Sequence, residues 1–386
     1  MQSKRFTLLL LIGIGLLLSV VAAINRIVDP FWYYRDFEID EVNKFKTEMR
    51  HFERHVKPMI VARERPDALI LGSSFAEIGL DPTHPGFTDQ GKLVGYNFGI
   101  AGAEWERVLC YFDYAVNTIE VKRIIIGVWP GAMPRVDCKG GLPEVDEFSE
   151  SKLLLSMKAI SASIDTIKKQ RQNKPSYTRQ GMYYYFRGLP GVEAQFHQIL
   201  GDRLKKSRCD LTDFQSMAPA LVKLDKDLPV ADSTIDLEGL RHIIRTAKQK
   251  GIELTLFVYP KHALWLELEA VCGTYKAYWS ALDEIASLVE QEDGKTELWE
   301  FTRYNDVTAE PITRASPVFW QDPGHFNYEF GNLILDAIYN RHNRGDLGGR
   351  ITTENMADAY QDYLTSRGAY LNTHPDILTS FRQLTK

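Results

Sequence analysis

Residues 66–75 read Pro66-Asp67-Ala68-Leu69-Ile70-Leu71-Gly72-Ser73-Ser74-Phe75, an apolar run that ends in a glycine and two serines. Consecutive apolar residues followed by small ones are typical of a buried parallel β-strand at the point where it leaves its sheet. Residues 122–128 and 252–259 repeat this pattern strongly, and residues 92–99 and 296–301 repeat it more weakly. The pattern therefore predicts five strands.

Helical segments separate these strands. Residues 104–118 predict a helix between the second and third strands, and residues 241–249 predict a basic helix that Gly251 ends. Strands that alternate with helices indicate βαβ units and a mostly parallel sheet that is covered on both faces. An amphipathic helix is also predicted before the first strand, over residues 37–57, with Pro58 ending or kinking it.

The strand pattern fails over residues 130–236. Within this stretch, residues 153–169 predict a helix, and residues 176–188 are aromatic and polar. We interpret it as a largely helical insertion above the sheet, where insertions commonly shape substrate pockets. The sequence has no Gly/Ser-rich linker and no repeat, so we predict an N-terminal segment over residues 1–28 and one α/β domain over residues 29–386.

The N-terminal segment has the composition of a membrane anchor. Lys4 and Arg5 precede an uncharged, mostly apolar run over residues 6–24. A bilayer-spanning helix needs about 20 such residues, whereas the apolar core of a signal peptide has about 7–15. Positive charge before the run predicts a single-pass anchor in the cytoplasmic (inner) membrane, with the domain in the periplasm or another extracytoplasmic space. The alternative is a signal peptide cleaved near residues 21–23, which also exports the domain.

The composition argues against several classes of protein. The 386 residues are 44% hydrophobic and 25% charged, which is too apolar for a disordered chain. The formal net charge of −5 gives no general attraction to nucleic acid, so no nucleic-acid partner is predicted. The four cysteines include no Cys-x-x-Cys pair, and we predict neither a metal site nor a cofactor.

The sequence leaves the pairing of the cysteines open. Cys110 and Cys272 fall in helical patterns, where a buried free thiol is expected. Cys138 and Cys209 lie in polar, loop-like surroundings, where a disulfide between them is an option. Four cysteines allow three pairings, and sequence alone does not choose among them.

Three short blocks carry the candidate chemistry, and the first is Gly72-Ser73-Ser74. A serine directly after a buried strand, at the start of a helix, exposes its Oγ at the edge of the sheet. The neighbouring N–H groups are then free to stabilise an oxyanion. The alternative is that these serines only cap the helix.

The second block, residues 97–103, follows the second strand. Its glycines either bring an N–H close to a ligand or simply form the turn.

The third block is Asp322-Pro323-Gly324-His325, which leads into an apolar helix over residues 330–339. An aspartate three residues before a histidine, in a Pro-Gly turn, can orient the imidazole and stabilise its charged form. The alternative is a helix cap beside a surface histidine. With the first block, this pattern predicts that Ser74 is a nucleophile, that His325 is its base and that Asp322 orients the base.

Together these blocks resemble the SGNH (GDSL-type) hydrolase family. In that family a Gly-Asp-Ser follows the first strand, a glycine follows the second, an asparagine follows the third, and an Asp-x-x-His lies near the C-terminus. Here Ser73 replaces the acidic residue, and Ser74 takes the position of the nucleophile. Gly102 matches the second block, and Asp322 and His325 match the last.

The resemblance covers residues 66–130 and 250–342 and implies a three-layer α/β/α fold of the SGNH type. It also implies an oxyanion site formed by the backbone N–H groups of Ser74 and Gly102. The third block departs from the family pattern, since residues 129–133 read Trp-Pro-Gly-Ala-Met and contain no Gly-x-Asn-Asp. Loss of one oxyanion donor typically lowers the rate by about 10²–10³. Reduced or specialised hydrolytic power is therefore expected.

Three more residues are candidates for lining the pocket. Ser73, Trp129 and His262 each follow a predicted strand at the same edge of the sheet. For His262 the competing interpretation is a helix cap or an exposed histidine.

An N-terminal anchor with a Gly-Ser/Thr-Ser block is similar to periplasmic proteins that O-acetylate exopolysaccharides such as alginate and cellulose. This likeness implies an acyl donor and a glycan polymer as partners, beside a multi-pass membrane acyltransferase. We carry three hypotheses: an O-acyltransferase for an exopolysaccharide or envelope polymer, an esterase that deacylates an envelope glycan or a small ester, and a catalytically silent scaffold in a membrane acylation complex. The anchor favours the first, and the missing asparagine favours the last.

Overall fold

In a computed structural model of the protein, the run that begins at Ala68 forms a strand in the interior of a six-stranded sheet. The structure describes residues 2–138, 142, 149–172, 176–184, 192–206, 224–230, 234–312, 317–340, 342 and 344–375. In chain order its strands are β1 (Ala68–Leu71), β2 (Gly95–Asn97), β3 (Arg123–Val128), β4 (Ser176–Tyr177), β5 (Tyr183–Tyr184), β6 (Glu253–Val258), β7 (Glu297–Glu300) and β8 (Gly349–Ile351).

The order of strands in the main sheet is β2-β1-β3-β6-β7-β8. The first five of these strands are parallel, and β8 is antiparallel to β7. The prediction of an α/β fold with a mostly parallel sheet is therefore confirmed. The sequence pattern does not predict β8, because this three-residue edge strand buries only Ile351. Within the predicted insertion, β4 and β5 form a separate antiparallel ribbon.

The helices complete the fold. In chain order they are α1 (Gln2–Val28), α2 (Glu53–Glu64), α3 (Ser74–Gly79), α4 (Trp105–Thr118), α5 (Glu150–Leu155), α6 (Met157–Lys169), α7 (Val192–Lys206), α8 (Glu238–Lys250), α9 (Ala263–Val271), α10 (Tyr275–Glu292), α11 (Tyr328–Leu335) and α12 (Met356–Thr373). The single helix predicted over residues 153–169 is divided into α5 and α6 at Ser156, because the Ser156 Oγ accepts the Ala159 N–H and so starts a new helix.

The main sheet lies between two apolar clusters. Side chains alternate between the two faces along a strand. Leu69 and Leu71 of β1 pack in one cluster with α2, α4, α8 and α10, whereas Ala68 and Ile70 pack in the other with α11. All four side chains of β1 are buried. The carboxyl end of this buried strand brings the two serines to the edge of the sheet.

Helix α1 is long and apolar enough to span a membrane. Its span Ser3–Val28 has a mean hydropathy of 2.8 in its most apolar window, and none of that window is buried inside the protein. Its end is attached to the insertion. Asn25 donates from Nδ2 to the Leu154 carbonyl at 2.7 Å and accepts from the Ser163 Oγ at 2.8 Å. The helix therefore continues directly into contacts with α5 and α6.

The prediction of a helix over residues 37–57 is wrong at both ends. The first half folds into turns, because the Asn43 side chain binds the N–H of Ile39 and the carbonyl of Phe37. The second half is helical, but α2 begins only at Glu53 and continues past Pro58.

Pro58 is tolerated inside α2 because another group satisfies the carbonyl that it leaves free. A proline has no N–H to donate to the residue four positions earlier, which is Arg54. The Tyr111 hydroxyl of α4 donates to this Arg54 carbonyl at 3.1 Å. Tyr114 donates to the Pro58 carbonyl at 3.2 Å. Two tyrosines of α4 thus hold the proline-containing turn.

The disulfide considered between Cys138 and Cys209 is not formed, because Cys138 is bonded to Cys110 of α4. The chain after β3 folds back over α4, where the Trp105 Nε1 donates to the Pro134 carbonyl at 3.0 Å. This brings Cys138 to the helix. Cys272 is also disulfide-bonded, so the expectation of two free thiols is wrong. Cys209 lies outside the described residues.

We predict that Tyr111→Phe lowers the free energy of unfolding by about 1–2 kcal/mol, because the Arg54 carbonyl loses its donor. In a Pro58→Ala background, Tyr111→Phe should lower the free energy of unfolding by less than half as much. The alanine restores a backbone N–H that can donate to the same Arg54 carbonyl. Urea unfolding of the full chain in detergent micelles measures the four variants of this cycle. An equal cost in both backgrounds would contradict the explanation.

Candidate active site

Ser74 is the first residue of α3 and lies just beyond the carboxyl end of β1. Gly72 links the strand to the helix with a φ of +146°, and a Cβ at this position would stand 2.3 Å from the Tyr259 hydroxyl, so the link requires glycine. Ser73 is the N-cap residue, yet its side chain makes no capping hydrogen bond. Capping therefore does not account for the two serines. The Ser74 N–H has no carbonyl partner within its own helix.

His325 lies within hydrogen-bond reach of Ser74. The Ser74 Oγ and the His325 Nε2 are 2.8 Å apart. Both residues are half-buried, so a ligand can reach them. On the other side of the ring, the His325 Nδ1 is 2.6 Å from the Asp322 Oδ2. The structure thus brings the three predicted catalytic residues together in a line from serine to histidine to aspartate.

Asp322 decides which ring nitrogen carries the proton. Its Oδ1 accepts the N–H groups of Gly324 and His325, each at 2.9 Å. Burial acts to raise the pKa of Asp322, but the hydrogen bond of the His325 ring and these two N–H groups hold it below its ordinary value. An ionised carboxylate only accepts hydrogen bonds, so the His325 Nδ1 is protonated and Nε2 presents its lone pair to Ser74. A general base needs this arrangement.

Phe75 fixes the plane of the imidazole ring. Its ring stacks on His325 with centroids 4.2 Å apart and planes 6° from parallel. Trp129 packs edge-on against Phe75 at 5.1 Å and nearly parallel to Trp265 at 6.0 Å. Because Phe75 and Trp129 are half-buried, the histidine borders an accessible aromatic surface. Trp129 begins the loop after β3, where the SGNH pattern has its asparagine.

The loop after β2 passes beside the serine. The Ile100 N–H donates to the Gly72 carbonyl at 3.0 Å. Residues 100–103 form a turn in which the Ala103 N–H donates to the Ile100 carbonyl at 3.1 Å. Gly102 provides the positive φ, +60°, that the third position of this turn requires. The closing bond does not use the Gly102 N–H, and the oxyanion role of that group stays a prediction.

A buried ionic cluster under α3 holds this loop in place. Glu77 of α3 is fully buried and pairs with Lys57 of α2 at 2.8 Å. Arg50 pairs with the other oxygen of Glu77. The Lys57 Nζ also donates to the Gly99 carbonyl at 2.6 Å. The cluster therefore joins the helix that begins with Ser74 to the loop that carries Gly102.

Glu53 holds the same loop one residue further on. Its Oε1 accepts the Ala101 N–H at 3.0 Å, while the neighbouring Arg54 donates to the Ala101 carbonyl at 3.0 Å. The Tyr177 hydroxyl contacts Glu53 and lies 2.7 Å from the Glu77 Oε1. One hydroxyl carries one proton, so both contacts are hydrogen bonds only if one of the two carboxyls is protonated.

The environment assigns that proton to Glu53. Burial, the charge of Glu77 and a hydrogen bond with Glu77 raise the pKa of Glu53 to about 7. Burial also acts to raise the pKa of Glu77. The charge of Lys57, the hydrogen bond of Glu53 and the charge of Arg50 nevertheless lower its pKa to about 2. Below about pH 7 Glu53 is therefore protonated beside the ionised Glu77, and the Tyr177 hydroxyl lies between the two carboxyl groups.

Two of the pocket candidates lie inside the protein. Ser73 is 8% exposed, and its N–H donates to the Tyr259 hydroxyl at 2.9 Å. The His262 Nδ1 caps α9 by accepting the Leu264 N–H at 3.2 Å, and its Nε2 is 2.9 Å from the Glu310 carbonyl. Burial lowers the pKa of His262 to about 4, so the ring is a neutral structural cap. The helix-cap interpretation of His262 is therefore confirmed, and its ring does not line the pocket.

Sequence reasoning missed the groups that support the triad. Phe75, Glu77 and Tyr259 lie within three residues of positions that it singled out, but their roles depend on contacts between distant segments. One signal was available for Glu77. It lies one turn after Ser74 among apolar residues, on a short helix that must pack against the sheet.

Neither the known protein-family models nor the curated protein sequences match this chain. The assignment of a function to Ser74 therefore depends on the geometry of the site and on the three sequence blocks.

The raised pKa of Glu53 predicts a pH dependence of stability. A carboxyl whose pKa is raised by folding stabilises the protein fully below its unfolded value, and this contribution is lost as the pH rises through about 7. Between pH 5 and pH 8, wild type should therefore lose roughly 1–3 kcal/mol relative to Glu53→Gln, which is neutral throughout. Urea unfolding at several pH values measures the difference.

The exposed Glu106 of α4 provides the matched control. Glu106→Gln should follow the wild-type pH dependence over the same range. Parallel curves for wild type and Glu53→Gln would show that Glu53 does not carry the proton.

Proposed function

We propose that this chain is a membrane-anchored, extracytoplasmic serine acyltransferase of the SGNH type that O-acylates an exopolysaccharide or a cell-envelope polymer. The observation that carries the proposal is the line of hydrogen bonds from Ser74 through His325 to Asp322, at 2.8 Å and 2.6 Å. A three-layer α/β/α arrangement belongs to the proposal. The apolar clusters on the two faces of the sheet support it.

In the first half of the reaction, the Ser74 Oγ attacks the carbonyl carbon of an acyl donor while the His325 Nε2 takes the hydroxyl proton. Asp322 stabilises the imidazolium that forms. The tetrahedral oxyanion is stabilised by the N–H groups of Ser74 and Gly102. The bond to the leaving group then breaks, and the leaving oxygen receives the proton from His325. The products are an acyl ester on Ser74 and the free donor alcohol.

In the second half, a hydroxyl of the acceptor attacks the acyl ester. His325 removes the proton of that hydroxyl, a second tetrahedral intermediate forms, and its collapse returns the proton to the Ser74 oxygen. A sugar hydroxyl as acceptor completes a transfer, whereas water completes a hydrolysis. The half-buried rings of Phe75 and Trp129 offer a sugar an apolar face next to His325.

The location outside the cytoplasm has two independent supports. Helix α1 is long and apolar enough to span a membrane, and two positive residues near its start precede its apolar run. The Cys110–Cys138 disulfide fits an oxidising compartment. An anchored enzyme beside the membrane is suited to receive acyl groups from a multi-pass membrane acyltransferase, and we include this partner in the proposal.

An esterase is the second candidate function, and the exposure of the site favours it. Ser74 and His325 are both half-buried, so water has access to an acyl ester on Ser74.

A catalytically silent scaffold is the third candidate function, and Trp129 in place of the asparagine favours it. It gives no reason for Asp322 to direct a lone pair of His325 at Ser74.

We predict that the full chain consumes 4-nitrophenyl acetate in a reaction that Ser74→Ala slows by about 10³-fold or more, because the base then has no nucleophile to activate. A xylo- or cello-oligosaccharide should become acetylated in the same reaction, which mass spectrometry detects. Ser287→Ala, on the distant surface of α10, is the matched serine control and should keep full activity.

The outcomes separate the three functions. Consumption that depends on Ser74 but yields only acetate would select the esterase. Equal rates of ester consumption for wild type and Ser74→Ala would reject both enzymatic functions and leave the silent scaffold as the remaining one.

A further inference from the structure

Helix α6 has an inverted distribution of side chains. Its buried residues are all small, namely Ala159, Ala162, Ser163 and Thr166. Its large apolar residues recur at spacings of three, four and three, which places them on one stripe of a helix. This stripe turns away from the protein core, with Met157 78%, Ile164 46% and Ile167 42% exposed. A surface helix of a water-soluble protein normally shows the reverse arrangement.

Leu155 of the adjoining helix α5 is 42% exposed and extends the stripe. We call the whole surface the α5–α6 apolar face and define it by Leu155, Met157, Ile160, Ile164 and Ile167. Monomeric soluble proteins seldom expose neighbouring large apolar residues in this way, because each exposed group forgoes favourable burial. Some partner is therefore expected to cover the face.

The position of the face along α1 indicates the partner. Helices α5 and α6 pack against the last two turns of α1, where Asn25 and Val28 are buried and Val21 and Ala22 are partly covered. The uncharged run over residues 6–24 rises by about 28 Å, close to the thickness of a bilayer's hydrocarbon core. Its end at Ile24 therefore lies at the outer surface of that core.

The α5–α6 contact thus begins at the membrane surface and reaches about one helical turn into the apolar layer. Asn25 fixes this depth, because it binds Leu154 of α5 and Ser163 of α6 at the same time. The apolar face is consequently carried by the two helices that pack on the last turns of α1.

We propose that the α5–α6 apolar face lies in the outer interface of the bilayer, with its large side chains among the first methylene groups of the lipid acyl chains. This inference rests on the proposed membrane anchoring by α1.

The charged residues of α6 agree with a lipid partner. Lys158 and Lys168 are exposed at its two ends. Long lysine side chains at an interface can extend their ammonium groups to phosphate while their stems stay apolar. The acidic Asp165 lies 4.0 Å from Lys168, so the two residues form an ion pair within the helix. The helix then holds the catalytic domain at a fixed height and rotation relative to the membrane.

Lipid quenching of a site-specific fluorophore tests this proposal on the full chain in phosphatidylcholine/phosphatidylglycerol nanodiscs. The described cysteines, Cys110, Cys138 and Cys272, are all disulfide-bonded, so one introduced thiol can be labelled with the environment-sensitive dye NBD without reduction. Met157→Cys and Ile164→Cys report on the face. Both positions are exposed, so the label should leave the unfolding midpoint unchanged.

Labels at Met157 and Ile164 should lose about half or more of their fluorescence in lipids brominated near the headgroup, and less in lipids brominated near the chain end, as expected for shallow insertion. Leu17→Cys, in the middle of α1, should be quenched most by deep bromine. Val94→Cys, which is 61% exposed before β2, should not be quenched.

Quenching at Leu17 without quenching at Met157 and Ile164 would overturn the proposal and leave the anchor intact. The face would then be open to water or reserved for a protein partner. Absence of quenching at Leu17 would instead reject the anchoring of α1 in the membrane. The placement of the α5–α6 apolar face in the bilayer interface would then be rejected as well.

Discussion

The fully buried carboxylate of Glu77 constrains the part of the fold that forms the site. An ionised carboxylate in an apolar interior is strongly destabilising unless cations and hydrogen bonds compensate it. Here Lys57, Arg50 and Tyr177 surround it, and they belong to α2, the 3₁₀ helix Thr47–His51 and the β4–β5 ribbon. Helix α3 can therefore be in place only when all three segments are. Since α3 begins with Ser74, the same constraint positions the proposed nucleophile.

The cluster also connects the two sides of the proposed reaction centre. Lys57 binds the carbonyl of Gly99 and Glu53 binds the N–H of Ala101, so the loop that carries Gly102 is fixed to the same buried charges as α3. The proposed base, His325, is held differently. Asp322 orients His325 through its ring nitrogen and its backbone N–H, and Phe75 stacks on the ring. Trp129 gives this site an aromatic wall in place of a side-chain oxyanion donor.

Local patterns in the sequence predict the parallel strands, the apolar N-terminal helix and the residues that leave the sheet at its carboxyl edge. They also select Ser74, Asp322 and His325, because the order and spacing of these residues are visible without a structure. The first half of residues 37–57 was mispredicted as a helix, since the Asn43 side chain holds it in turns. The continuation of α2 past Pro58 was also missed, since the hydroxyl that lets the proline remain in a helix comes from Tyr111, more than 50 positions away. The pairing of Cys138 and the burial of His262 were likewise decided by long-range contacts that periodicity does not encode.

The central claim is that Asp322 and His325 activate Ser74, and covalent labelling with a fluorophosphonate tests it most directly. Such a probe phosphonylates only serines whose hydroxyl is activated by a base. We predict one adduct, mapped by mass spectrometry to Ser74, forming about 10³-fold or more slowly in Asp322→Asn because the ring would then carry its proton on Nε2. An adduct at another serine, or an equal labelling rate in Asp322→Asn, would contradict the account.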